Sequence, residues 1–230
     1  MLTVLCVRFG EKYGPEYVER LRNMVARNIT IPYEFVCLTD DPRSIKGVKT
    51  LCIGHQGYAK GWWHKVHMFD KSLGIDDRIL YFDLDVVIHN NIDKLVLGLG
   101  DSFYGIRDFN RKYNPKWKIL NSSAMSWMGN KEHDIYDMFL RNKMAAMQLH
   151  GDQDWIYKMA SDRIKFWPDS WLMSYKWEIR KRNEINFSTP KRTFYEIANP
   201  VIPNECCVAV FHGDPKPEDV QDPIVVDNWR

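Results

Sequence analysis

The sequence predicts an α/β protein with a mostly parallel central sheet flanked by helices, and three features carry that expectation. Short apolar runs rich in β-formers alternate with helix-patterned segments through the first ninety or so residues, the order that builds a parallel sheet covered by helices. The stretch Arg78-Ile79-Leu80-Tyr81-Phe82-Asp83-Leu84-Asp85-Val86-Val87-Ile88 is almost continuously apolar, as expected of a strand buried on both faces. Polar clusters follow the ends of several apolar runs, where sheets of this kind gather ligands.

Residues 2–7 read as the first strand. Pro15 opens a helix with Val18, Leu21, Met24 and Val25 at helical spacing, a favourable place for proline. Residues 33–38 form the second strand and 48–53 the third, followed by a loop over 54–61. Trp62, Val66, Phe69 and Leu73 mark an amphipathic helix leading into the central run. Strands are expected at 103–106 and 123–128, a helix over 133–147, and another from Asp152. Residues 168–203 mix aromatic and basic side chains with prolines and read as a long, loop-rich segment that covers or extends the site. Residues 208–211 form the last strand. The expected organisation is one domain over residues 1–230.

Composition bounds the function. The net charge is +2, so no global field favours nucleic acid or a membrane surface. There is no apolar run of about 18 or more residues, so no membrane span is expected. Five cysteines lack metal-site spacing, and Cys6 and Cys37 lie inside apolar runs. This fits a reducing, cytoplasmic setting.

The chemistry lies in three pieces. Asp83 and Asp85 stand two apart at a strand end. Left unpaired they would repel and suffer desolvation, which a divalent cation would relieve; hard oxygen ligands suit Mn²⁺ or Mg²⁺. The plain alternative is a turn cap plus a solvated carboxylate. His212 follows the last apolar run and precedes Gly213 and Lys216. It would add a borderline nitrogen ligand, Gly213 close backbone approach, and Lys216 a point charge for phosphate. In Gly151-Asp152-Gln153-Asp154, polar groups crowd a helix start, where simple N-capping by Asp152 is the competing reading.

In chain order, strand–Asp83-x-Asp85, Asn121-Ser122-Ser123, Asp152-Gln153-Asp154 and His212-Gly213-x-x-Lys216 resemble the motifs of GT-A glycosyltransferases, above all glycosyltransferase family 8 and its bacterial and viral relatives. The resemblance spans roughly residues 1–217 as scattered motifs. It implies a GT-A fold and transfer from a nucleotide-diphosphate sugar, UDP-linked by preference, to a carbohydrate or glycoconjugate acceptor with retention. It also implies Mn²⁺ held by Asp83, Asp85 and His212, and diphosphate held by Gly213 and Lys216. Asn121, Ser122 and Ser123 would lie against the donor sugar, with Lys65 touching sugar and phosphate. Asp152 and Gln153 would stand near the reacting carbon, and Tyr13 near the base. If configuration is inverted instead, Asp154 or Asp152 would be the base. The chain departs from the family pattern in lacking acidic residues just before Tyr13, in a shorter His-to-Lys spacing, and in Ser for a small Ala-Gly pair.

Trp167, Trp171, Tyr175 and Trp177 form either an aromatic platform for an acceptor sugar or core. Phe82-Asp83-Leu84-Asp85-Val86-Val87 also resembles the first motif of haloacid-dehalogenase-type phosphatases. There it belongs to the first strand, whereas about eighty residues precede it here. A nucleotidyltransferase would need a glycine- and base-rich loop, which Gly10-Glu11-Lys12-Tyr13-Gly14 matches poorly. A nucleotide- or carbohydrate-binding module without turnover is the non-enzymatic alternative.

Overall fold

In the computed structural model, the described residues are 1–54, 57, 58, 60–184, 193–196 and 202–230, with the backbone alone for 181–184 and 193–196. The strands are β1 (Leu2–Arg8), β2 (Tyr33–Thr39), β3 (Lys49–Cys52), β4 (Arg78–Phe82), β5 (Val86–Ile88), β6 (Phe103–Arg107), β7 (Leu120–Met128), β8 (Ile164–Phe166), β9 (Leu172–Ser174), β10 (Lys181–Glu184), β11 (Thr193–Glu196) and β12 (Val208–Val210). The α-helices are α1 (Pro15–Asn28), α2 (His133–Arg141), α3 (Lys143–Ala146), α4 (Asp152–Ala160) and α5 (Pro223–Val226).

A seven-stranded sheet runs in the order β3-β2-β1-β4-β7-β6-β8. β1, β2, β3 and β4 are mutually parallel, and β7 is antiparallel to both of its neighbours. The period-2 alternation of strands divides the core cleanly. Val4, Cys6, Leu80 and Phe82 face the side covered by α1 through Val18, Leu21 and Val25. Leu5, Ile79 and Tyr81 face the other side, with Val66, Phe69, Phe139 and Trp155. A second sheet, β5-β12-β9, and a hairpin of β10 and β11 complete the strands.

Three segments differ from expectation. The helix expected from Trp62 to Leu73 is instead two 3-10 helices, Gly61–Phe69 and Lys71–Leu73. All side chains from Trp63 to Phe69 are buried, so this is a wedge between the sheet and α2 and α4 rather than an amphipathic surface helix. Extended backbone at Asp70 ends the first turn set, and its carboxylate accepts from the Ser72 N–H at 2.8 Å. The helix over 133–147 is split at Asn142, whose backbone leaves helical geometry. The central apolar run is two strands in two sheets, joined by Asp83-Leu84-Asp85. Within 168–203 the chain forms β9, a π-helix at Tyr175–Ile179, β10 and β11; residues 185–192 and 197–201 lie outside the described ones.

Candidate active site

Local topology brings distant residues together. β4 ends at Phe82, and the Asp83 N–H donates to the Ser123 carbonyl at 2.8 Å. The chain then turns through Asp83-Leu84-Asp85 and leaves the large sheet as β5. β12 runs antiparallel to β5 with Val210 opposite Val86, so the residues leaving β12 (Phe211, His212, Gly213) emerge beside Asp85. On β6, the adjacent Gly105 and Ile106 pair with Met125 and Asn121 of β7. The intervening Ser122, Ser123 and Ala124 therefore bulge from that ladder, next to the end of β4. Every residue named from the motifs as a metal, substrate or catalytic candidate lines one cavity of about 1020 Å³.

Each acid of the Asp-x-Asp turn is held by its own lysine. Asp83 Oδ1 accepts from Lys65 Nζ at 2.7 Å and from the Tyr81 hydroxyl at 2.6 Å. Asp85 Oδ2 accepts from Lys216 Nζ at 2.6 Å and from the Tyr13 hydroxyl at 2.8 Å. Lys65 also donates to Ser122 Oγ at 3.0 Å and lies 3.5 Å from Asp152. Ser122 passes the chain on, its hydroxyl donating to Asp152 Oδ2 at 3.0 Å, while its N–H donates to Gln153 Oε1 at 3.3 Å. Asn121 Oδ1 accepts from the Ser123 N–H at 3.1 Å. Asp152 does not cap its helix: the N-cap is Gly151 in extended backbone with no side-chain cap, and Asp152 begins the first turn facing Ser122 and Lys65. Asp154 lines the cavity and makes no hydrogen bond among the described residues.

Burial and charge act against each other here. Burial lowers the Lys65 ammonium, yet Asp83 and then Asp152 more than compensate, leaving its pKa raised. Burial raises the Asp152 carboxyl; Lys65 lowers it and Asp83 raises it, with a net upward shift. The Tyr13 hydroxyl is raised well above its ordinary range, first by burial and then by Asp85. It is a neutral donor at any physiological pH.

His212 is held on three sides. Its Nε2 meets Ser174 Oγ at 2.7 Å, its ring stacks on Phe109 at 5.1 Å, and Trp177 presents an edge at 4.7 Å. Ser174 is presented by β9, whose register sets it opposite Val210. Burial, followed by the charges of Lys176 and Lys216, lowers the imidazole to about 3, so it is neutral. Gly213 then takes a left-handed φ of 66°, a conformation that costs a side-chain-bearing residue roughly 1–2 kcal/mol. The Lys216 N–H is anchored on Asp219 Oδ2 at 2.8 Å, which aims its side chain back at Asp85.

Among the described residues, no three His, Cys, Asp or Glu side chains stand together as a ready metal cluster. The donor chemistry nonetheless fits a divalent cation. Asp83 Oδ2, Asp85 Oδ1 and His212 Nδ1 take no hydrogen bond among the described residues, and all three residues line the same cavity. Two carboxylate oxygens and an imidazole nitrogen suit Mn²⁺, and the oxygens suit Mg²⁺.

Several contributors escaped the sequence reading. Tyr81 shares a strand face with Asp83, a period-2 signal that could have found it. Ser174 gave no local signal, because it reaches His212 only through pairing of β9 with β12. The proposed aromatic platform is not at the cavity. Trp167 and Tyr175 are buried in the core, and neither they nor Trp171 and Trp177 line the opening. The exposed aromatic that does so is Trp62, 44% exposed.

No family model and no curated protein sequence matches the chain. Solved structures do match it. The galactosyltransferase LgtC, solved in complex with donor and acceptor sugar analogs, superposes with a TM-score of 0.64 at 12% identity, covering 94% of this chain and 88% of that one. An active-site Gln-to-Glu mutant of LgtC gives the same score at 13% identity. The glycosyltransferase GlyE of Streptococcus pneumoniae TIGR4 gives 0.55 at 13% identity over 75% of this chain, which spans 47% of GlyE. The bifunctional glycosyltransferase WbbM gives 0.54 at 12% identity over 76% of this chain and 40% of its own. Together with the mostly parallel seven-stranded sheet and its flanking helices, these likenesses show that the chain has the GT-A fold.

Proposed function

We propose that the chain is a glycosyltransferase that moves a sugar from a nucleotide-diphosphate sugar, UDP-linked by preference, to a hydroxyl of a carbohydrate or glycoconjugate. One observation carries the reading. The turn from β4 to β5, the segment after β12, the bulge of β7 and the first turn of α4 all open onto one cavity, in a fold shared with LgtC and GlyE.

In this reading Asp83, Asp85 and His212 would hold Mn²⁺ or Mg²⁺, through the oxygens and nitrogen that no donor occupies among the described residues. A bound divalent cation would supply Lewis-acid stabilisation to the departing diphosphate, so no protonating side chain is required. Lys216 and the backbone at Gly213 would hold the same phosphates, in a partly dry site where an ammonium counts for more than in water. Tyr13 would lie near the base. Asn121, Ser122 and Ser123 would lie along the donor sugar, and Lys65 would bridge sugar and phosphate. Asp152 and Gln153 are both fixed by Ser122, so they arrive preorganised beside the reacting carbon. With Asp152 committed to Ser122 and Lys65, retention is the favoured outcome, the leaving phosphate taking the acceptor proton.

Inversion is the second reading, and Asp154 favours it as a carboxylate on the cavity without a hydrogen-bond partner among the described residues, available as a base. The five cysteines stand unpaired, four of them buried, which supports a reducing compartment such as the cytoplasm. Among the described residues no helix is long and apolar enough to cross a membrane.

The test is a panel of nucleotide sugars incubated with protein and Mn²⁺, with nucleotide release and product anomer read by NMR. UDP release and a retained anomer are expected. Asp85→Ala should stay folded and lose Mn²⁺-dependent UDP affinity at least about a hundredfold, since outer-shell partners of metal ligands alone are worth 10–100-fold. Full UDP affinity in that variant would contradict the assignment. Thermal stabilisation by metal with vanadate, and none by metal with UDP or GDP, would point to a phosphatase instead.

A further inference from the structure

Asp85 Oδ2 is saturated in an unusual way for a carboxylate proposed to bind metal. It takes an ammonium at 2.6 Å from Lys216 and a hydroxyl at 2.8 Å from Tyr13. The pair is sheltered, with side-chain exposures of 18% for Lys216 and 9% for Asp85. Lys216 is also the cation that the proposed function assigns to the diphosphate. An ammonium can bridge two anions, as Lys65 does, but its single charge is then shared between them. A divalent cation arriving alone at Asp85 meets a positive charge already in contact with its ligand, and like charges at that range repel strongly in a sheltered site. A diphosphate arriving alone would draw Lys216 off Asp85 and leave a sheltered carboxylate without a cation, which is unfavourable in turn. Only the two together satisfy every charge: the cation on Asp85, and Lys216 on the phosphates.

We propose that Lys216 is a built-in counter-ion of Asp85 that is exchanged for the metal only when a diphosphate accepts it, so that the cation and the nucleotide diphosphate bind as a coupled pair. This rests on the proposed function for the identity of the two ligands and adds how they are admitted. By linkage the coupling is reciprocal, each ligand tightening the other by the same factor. Free Mn²⁺ is then poorly held, and a nucleoside monophosphate, with fewer phosphate oxygens to take Lys216, couples less well than UDP. Tyr13 contributes a neutral donor to the same oxygen, so its removal acts in the same direction but more weakly.

The experiment titrates Mn²⁺ by electron paramagnetic resonance of the free ion, with and without UDP, on the wild-type chain and on Lys216→Met, Lys216→Gln and Tyr13→Phe, each checked for folding by circular dichroism. In the wild type, UDP should tighten Mn²⁺ at least about tenfold, a coupling of about 1.4 kcal/mol. Lys216→Met and Lys216→Gln should bind Mn²⁺ alone roughly tenfold tighter than wild type and lose most of the UDP effect. Tyr13→Phe should bind it about two- to threefold tighter, and it keeps the test open should both lysine variants misfold. Wild-type uptake of Mn²⁺ with UDP, combined with variants that bind Mn²⁺ alone no tighter than wild type, overturns the exchange and leaves the proposed function standing. Absence of any Mn²⁺–UDP uptake by the wild type overturns both.

Discussion

Replacing Lys65 by Met removes the ammonium around which the inner half of the cavity is built. Lys65 lies 2.7 Å from Asp83 and 3.5 Å from Asp152, with side-chain exposures of 9%, 27% and 12% respectively. Methionine keeps the stem's volume, so the loss is one of charge and hydrogen bonds. Removing one partner of a buried ion pair costs about 3–5 kcal/mol, because the other charge stays buried without compensation. Here two carboxylates are stranded, but Asp83 keeps the Tyr81 hydroxyl and its partial exposure to solvent, and Asp152 keeps Ser122. The lower end, about 3 kcal/mol, is therefore expected, equivalent to a fall in Tm of roughly 6–12 °C for a chain of this size. Urea unfolding followed by circular dichroism at neutral pH measures it, with an unchanged slope against urea confirming that native stability is what moved. Lys65→Arg restores the charge and should recover part of the loss. Under the proposed function, Mn²⁺ should raise the Tm of Lys65→Met more than that of the wild type, because the metal meets carboxylates that lack a cation. A loss below about 1 kcal/mol, the worth of a solvent-exposed pair, would refute the reasoning.

Two further outcomes follow from the fold. A Cβ at Gly129 would fall 2.0 Å from the Ile75 carbonyl oxygen and 2.8 Å from its carbon, both rigid backbone, so Gly129→Ala should destabilise by at least about 2–3 kcal/mol; a Tm within a degree or two of wild type would count against the packing of that turn. Acid should weaken the fold through His67 and His89, each lowered to about 4, mainly by burial and additionally by His64 and Lys94 respectively, with His212, lowered to about 3, adding in the same direction. Their folded pKa values lie below the unfolded value of about 6.5, so the unfolded chain binds more protons in between, and stability is full above that pH and declines as pH falls toward 4. Discounted for solvent near His89, the pair should remove about 1–2 kcal/mol between roughly pH 7 and 5.5. Urea midpoints at the two pH values check it, and a flat midpoint would contradict the burial of these rings.

The strands and α1 were legible because their signals are local. Leu2–Arg8, Tyr33–Thr39 and Arg78–Phe82 are apolar runs that one sheet buries on both faces, and Pro15 marks the start of α1 within the residue. The segment from Trp62 to Leu73 misled because apolar residues at helical spacing look the same whether one face or the whole turn is buried. Its tight 3-10 winding reflects what α2, α4 and the sheet leave room for. The acids of the site were legible for a different reason: carboxylates at a strand end are costly unless something neutralises them. Their contacts with lysines were not: Lys65 reaches Asp83 from 18 residues away and Lys216 reaches Asp85 from 131 residues away. Long-range partners of this kind leave no periodicity to read.

The change of sheet at Asp83-Leu84-Asp85 explains why such separated residues share one cavity. Were the apolar run from Arg78 to Ile88 a single strand, side chains at positions 83 and 85 would point to the same face and share an environment. The turn instead assigns them to different partners: Asp83 to Lys65 and Tyr81 on the large sheet's side, Asp85 to Lys216 and Tyr13. It also starts β5 in a new sheet, where β12 pairs with it and delivers His212, Gly213 and Lys216. The position of His212, Gly213 and Lys216 beside Asp85 thus rests on a three-residue ladder, Val86, Val87 and Ile88 against Val210, Ala209 and Val208. A slip of one residue in that short ladder would turn each side chain to the opposite face. It would carry Lys216 and His212 away from Asp85, while leaving the large sheet intact. The chemistry of the site is therefore more sensitive to the small sheet than the stability of the fold is.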